Sequence, residues 1–169
     1  QGNYSIIIKG KIYIEGTKND PVKFFSDNIK WGTLALLGNK TSGSIIKNAT
    51  FKNGSFSNFS NIDLSGMISI YNSDNVSISD VKIYNNFYGD DSIRSINSNI
   101  FLNNLKIENC FGDCIDLDYS TGKLEDIYLR KAGNDGLDFM NSNAVLKNIF
   151  INECGDKGIS IGEKSSIIG

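Results

Sequence analysis

The chain has 169 residues and a formal net charge of −2, with 17 Gly, one Pro and no His. That length is enough for one domain with its own core. Without His, neither a Ser-His-Asp triad nor a His-zinc centre can be built. No basic cluster interleaves with aromatics along the chain, so nothing points to nucleic acid, and no apolar run approaches helical membrane-spanning length.

In chain order, residues 4–16 (YSIIIKGKIYIEG) alternate Ile with Lys and Glu and are punctuated by Gly10 and Gly16. This predicts two strands or one bent strand. A polar turn over 17–20 leads to PVKFFS (21–26) and then WGTLALLG (31–38), both read as strands. Trp31 has two readings, a core-plugging aromatic or a sugar-stacking platform, and the first is favoured. SIIKNATFK (44–52) matches the later VSISDVKIY and AVLKNIFIN. Residues 55–66 read as an insertion within a coil.

From Ile93 the chain falls into lines of 22 residues that begin at Ile93, Ile115 and Leu137, with a shortened fourth at Ile159. Leu102, Leu124 and Leu146 share a column, as do Leu105, Ile127 and Ile149, then Ile107, Leu129 and Ile151. Ser98, Ser120 and Ser142 align at a turn. The two-residue spacing of neighbouring apolar columns is that of a strand, and a repeat of this length is the mark of a solenoid. The helical side and Asn-centred leucine consensus of leucine-rich repeats are missing, as is any ten-residue stretch with helical apolar spacing. Asn and Ser suit the turns, since Asn tolerates left-handed dihedrals, and Ile suits the strands. The expected fold is therefore all-β: a single-stranded, right-handed parallel β-helix of ~22-residue coils. It forms one domain over 1–169, with irregular opening coils over 1–43, coils carrying the insertion over 44–92, and regular coils over 93–169. The incomplete last coil and the initial Gln suggest a piece of a longer chain.

Alternation sends Ile93/Ser95, Ile115/Leu117, Leu137/Phe139 and Ile159/Ile161 inward. Arg94, Asp116, Asp138 and Ser160 then form one outward column, and Ile96, Asp118, Met140 and Gly162 the next. Turns just before these strands add Asp91, Asp113 and Asp135, with Lys157 completing their column. Carboxylates stacked ~5 Å apart repel by on the order of 3 kcal/mol at an effective dielectric near 20. Arg94 beside Asp116 and Lys157 beside Asp135 would offset this. Ca²⁺ held by Asp113, Asp116, Asp135 and Asp138 would do the same, because hard oxygen ligands suit it. Repeated Asp is also simply a favoured turn residue, and no cofactor is required. The nine-residue Gly-Gly-x-Gly-x-Asp calcium-roll pattern is absent. Arg130, between Glu108 and Asn152, reads as a structural ion-pair residue. Of the cysteines, Cys110 and Cys154 lie two coils apart, too far for a disulfide. Cys110–Cys114 is allowed by spacing, but free, buried thiols are the favoured reading.

The runs FGDCIDLDYS, GNDGLDFMNSNAVLKN and CGDKGISIGEKS, with the opening IYIEGTKNDPVKFF…WGTLALLG, resemble bacterial right-handed parallel β-helix repeat domains of the pectate-lyase-like superfamily. They are similar in particular to the β-helix tails of secreted or surface proteins, some of which carry a spore-coat-type kinase domain. The resemblance implies the fold more strongly than a function, since this fold hosts lyases, hydrolases, adhesins and spacers. The Gly-His-Gly element of its galacturonase branch is missing. The leading expectation is a non-catalytic extracellular or surface module that binds or presents to polysaccharide through Arg94, Asp116, Asp118 and Asp138, with further domains on the same chain. A lyase or hydrolase would use those same four residues. A purely structural spacer is the third reading.

Overall fold

The computed structural model describes residues 4–26 and 30–169. Residues 1–3 and 27–29, which fall within the irregular opening coils, lie outside the described residues. The chain winds as a parallel β-solenoid of about six turns, and the only helical element among the described residues is a short 3₁₀ turn at Asn39–Thr41. Two parallel sheets run the length of the stack. The first contains seven strands: Ile6–Ile8, Leu34–Leu37, Gly66–Tyr71, Asp91–Ile96, Asp113–Asp118, Leu137–Met140 and Ile159–Ile161. The second is built on the long strands Ile45–Lys52, Val76–Asn86, Asn99–Cys110, Thr121–Ala132 and Asn143–Cys154. Tyr13–Glu15 and Val22–Phe24 join it at one end and Ser166–Ile168 at the other. The stretch at 4–16 is thus two strands, one in each sheet.

The register is the one the columns predict. Ile93 pairs with Ile115 and Ile115 with Leu137. Leu102, Leu124 and Leu146 lie directly over one another. Inward residues stack into one core in which Leu34, Ile68, Ile93, Ile115 and Leu137 are wholly buried, and burial of this apolar surface is the main stabilising force. Ile159 and Ile161 keep the pattern in register with Leu137 and Phe139 and are exposed. Trp31 is buried in the core, its ring against the stacked Phe24 and Phe51 and its indole N–H donating to Lys52 O at 2.8 Å. This is the core-plugging role.

Three left-handed corners shape the coils. Asn72, Asn97, Tyr119 and Asn141 form one column of positive φ. Asn48, Asp80, Asn104, Asp126 and Asn148 form a second, and Asn53, Asn85, Asn109, Lys131 and Glu153 a third. A β-carbon makes this conformation costly for most residues, and Asn bears it best because its short amide bonds locally. The amides also bond from coil to coil: Asn97 donates to Asn72 at 2.7 Å, Asn104 to Asp80 at 2.8 Å and Asn109 to Asn85 at 2.9 Å. A buried serine ladder runs beside the first corner. Ser98, Ser120 and Ser142 each accept, on Oγ, the backbone N–H of the preceding coil's serine.

Residues 55–66 do leave the coil. Ser57–Phe59 and Ile62–Leu64 pair antiparallel around Ser60 and Asn61, both at positive φ, the geometry of a tight hairpin turn. The hairpin folds back over the outer face of the first sheet. Leu64, wholly buried, and Phe59 pack on Ala35, Leu37, Tyr71 and Ile96. The Tyr71 hydroxyl donates to Asp63 O at 2.7 Å.

The cysteines differ from the favoured expectation. Cys110 and Cys114 form a disulfide with Cα atoms 5.6 Å apart, and Cys154 is free. The turn at Phe111–Asp113 folds the chain back so that both side chains point into one buried corner, which linear spacing does not reveal. Cys110, Ala132 and Cys154 do share one column.

Candidate functional site

The charged residues of the first sheet gather where the turn column meets the outward column. Arg94 pairs with Asp116 on the next coil and Asp91 with Asp113. Asp116 in turn pairs with Asp138. The Arg94 guanidinium bridges two carboxylates, Nη1 to Asp116 and Nη2 to Asp118, with Asp91 at 3.8 Å. A planar fork spanning two carboxylates is the arrangement arginine serves best. Arg94 can lie there partly because Gly66 occupies the preceding rung of the turn column. A β-carbon on Gly66 would come within 2.8 Å of Arg94 N.

Outward-facing does not mean exposed here. Asp91 is 0 % exposed, Asp116 4 % and Asp118 7 %, while Arg94 and Asp138 are half-buried. Beside the sheet, the residue following the hairpin, Ser65, donates its hydroxyl to Asp91 Oδ2 at 2.6 Å. Burial pushes the Asp91 carboxyl up to about 7, against the opposing pull of Ser65 and Arg94. Asp91 is therefore substantially protonated near neutral pH. Asp113 and Asp118 are also raised by burial; Asp113 is held back by bonds from the Asp135 and Asn134 nitrogens, and Asp118 by Arg94.

The turn carboxylates do structural work. Asp113 Oδ1 accepts the backbone N–H of Asp135 at 2.7 Å and the Asn134 amide at 2.9 Å. Asp135 repeats the bond one coil on, accepting Lys157 N–H at 2.7 Å, with the Lys157 ammonium 4.0 Å away. Asp91 breaks this series. Among the described residues its Oδ1 has no hydrogen-bond partner, and neither does Asp116 Oδ1.

Of the four residues read as a Ca²⁺ set, the structure brings Asp113 and Asp116 together, and the third carboxylate beside them is Asp91. One oxygen from each lies within 4.8 Å of the others. Asp135 and Asp138 sit one coil further along. Of the four read as ligand-binding or catalytic, Arg94, Asp116 and Asp118 form one bonded group and Asp138 flanks it. Sequence reasoning passed over Asp91 and Ser65 as members of the site. Asp91 was visible as the first rung of the turn column; nothing in a linear reading brings Ser65 to it. On the other sheet Arg130 makes the expected ion pair with Glu108, 3.5 Å away, and also meets Glu153 at 3.3 Å.

No protein-family model and no curated protein matches the chain. Among solved structures it is similar to one described as a putative glycosyl hydrolase from Parabacteroides merdae, with a TM-score of 0.63 and 8 % identity over 88 % of this chain and 81 % of that one. At that identity the likeness is one of fold: this chain and that protein share the parallel solenoid.

Proposed function

We propose that the chain is a non-catalytic, carbohydrate-binding β-helix module of a secreted or surface protein, with its charged first-sheet cluster serving mainly to hold the coils in register. The observation that carries this reading is the Arg94 bridge. A guanidinium that engages Asp116 and Asp118 at once leaves two buried carboxylates tied to one cation rather than an open acid–base pair. A hydrolase needs both carboxyls facing a sugar. The fold neighbour described as a glycosyl hydrolase supports carbohydrate as the ligand class. The Cys110–Cys114 disulfide supports an oxidising compartment. The resemblance to β-helix tails supports further domains on the same chain.

The test is a glycan array probed with the chain, run beside assays for reducing ends and unsaturated uronates with and without EDTA. Binding without turnover is expected. Turnover that Asp116→Ala abolishes would make the chain an enzyme, and silence on every acidic and neutral glycan would leave only the spacer reading.

Calcium at the same cluster is a second reading. Three carboxylates within 4.8 Å and two orphaned buried oxygens support it. Against it, Arg94 already supplies positive charge to Asp116 and Asp118. Calorimetric titration of the metal-free chain with CaCl₂ tests it: heat of binding that Asp116→Asn removes would establish the ion, and a flat trace would dismiss it.

A further inference from the structure

A groove lies away from the acidic cluster, on the outer side of the second sheet. It has a volume of about 890 Å³ and runs along the solenoid axis across four coils, with the loop of Thr17, Lys18 and Pro21 at one end. Its construction follows from the second corner. In each coil the corner residue points out, the next points in, and the one after points out again. One rim is therefore the corner row Asn48, Asp80, Asn104 and Asp126. The other is Thr50, Lys82, Lys106 and Tyr128. Each row advances one strand spacing, ~4.8 Å, per coil, close to the advance of one sugar in an extended polysaccharide.

The two rims differ in chemistry. Asp80 and Asp126 already accept the amides of Asn104 and Asn148, each at 2.8 Å, so these carboxylates are partly engaged by the corner ladder. On the opposite rim Lys82 is exposed and, among the described residues, has no ion-pair partner; the same holds for Lys18. Lys106 lies between two rings, 5.9 Å from the centre of Tyr84 and 5.5 Å from that of Tyr128, and pairs with Glu108 at 2.8 Å. Tyr128 stacks on Phe150 with centroids 4.8 Å apart, extending an aromatic strip past the groove's end. In register beyond Thr50 stands Lys23, and beside Tyr84 stands Lys52. A chain of net charge −2 thus collects five lysines on one face.

We infer that this groove binds an extended anionic polysaccharide lying along the solenoid axis, with Lys18, Lys82 and Lys106 taking carboxylate groups along it and the Tyr128 hydroxyl bonding a sugar hydroxyl. This rests on the carbohydrate-module reading and places its binding site on the second sheet rather than at the acidic cluster. Charge complementarity selects the ligand class: ammonium groups distributed along one groove match a polymer that carries anions along its length.

The experiment measures binding of oligogalacturonates and of neutral oligosaccharides of equal length to the parent chain and three variants. The variants are Lys82→Glu/Lys106→Glu, Tyr128→Ala and, as a charge control outside the groove, Lys164→Glu, and circular dichroism checks that each is folded. The parent is expected to prefer the anionic oligomer, with affinity falling as salt rises. The double variant should lose at least ten-fold, Tyr128→Ala several-fold, and Lys164→Glu almost nothing. If the anionic oligomer binds but neither groove variant weakens it, the module reading stands and the groove is the wrong site. If neutral oligomers bind as well as the anionic one and the double variant binds unchanged, the proposed ligand class is wrong. If nothing binds, both readings fail together.

Discussion

At the scale of single residues, the corners and the buried acid make the sharpest predictions. The first corner column holds Asn72, Asn97 and Asn141, but Tyr119 occupies one rung at φ 49°. Its bulky side chain bears the left-handed penalty without the amide that eases it. Tyr119→Asn should therefore raise stability by up to about 1 kcal/mol, read from urea melts. Conversely, Asn109→Ala keeps the strained backbone and loses the bond to Asn85; a loss of about 1–2 kcal/mol is expected in the same melts. Asp91 governs the pH response. Its carboxyl rises from 3.8 when unfolded to about 7 when folded. Between those values the folded chain keeps a proton that the unfolded chain has lost, so stability falls as pH climbs from about 4 to 7 and levels off above. Asp91 alone accounts for at most about 4 kcal/mol of that fall. Asp91→Asn should be more stable than the parent at pH 8 and show a shallower slope below it. Asp113 and Asp118 shift in the same direction, so some slope should survive.

At the scale of elements, the hairpin and the disulfide are the two departures from plain coiling. The hairpin covers Ala35, Leu37, Tyr71 and Ile96 on a face that alternation alone would leave wet. Leu64→Ala empties its wholly buried anchor and should cost about 2–4 kcal/mol, measured by thermal or urea unfolding. The disulfide closes a loop of only four residues' separation, so the chain-entropy argument allows about 2 kcal/mol. Alkylation under denaturing, non-reducing conditions followed by mass spectrometry should label Cys154 alone, and prior reduction should add two labels. The strands themselves were legible before any coordinates, because period-two alternation between Gly, Asn and Asp turns permits few other foldings. The disulfide was not. Spacing allowed it, but only the tight turn at Phe111–Asp113 brings Cys110 and Cys114 together.

At the scale of the whole molecule, each coil is held by its neighbours. Ile159 and Ile161 are exposed where their counterparts Leu137 and Phe139 are wholly buried. Hydrogen exchange should be fastest in Ile159–Ile161 and Ser166–Ile168 and slowest in Asn99–Cys110 and Thr121–Ala132, since protection follows local burial.

What the amino-acid order settled without help was the coil and its contents. Side chains repeating every 22 residues in a strand rhythm have one economical way to bury their apolar members, which is to stack them, so Leu102, Leu124 and Leu146 had to meet. The tertiary structure alone decided what happens on the outside. There the coils differ in length, and contacts depend on how each corner turns and which insertion folds back. That is why Arg94 reaches Asp118 as well as Asp116, why Ser65 reaches Asp91, and why lysines scattered along the chain at 18, 23, 52, 82 and 106 come to share one face.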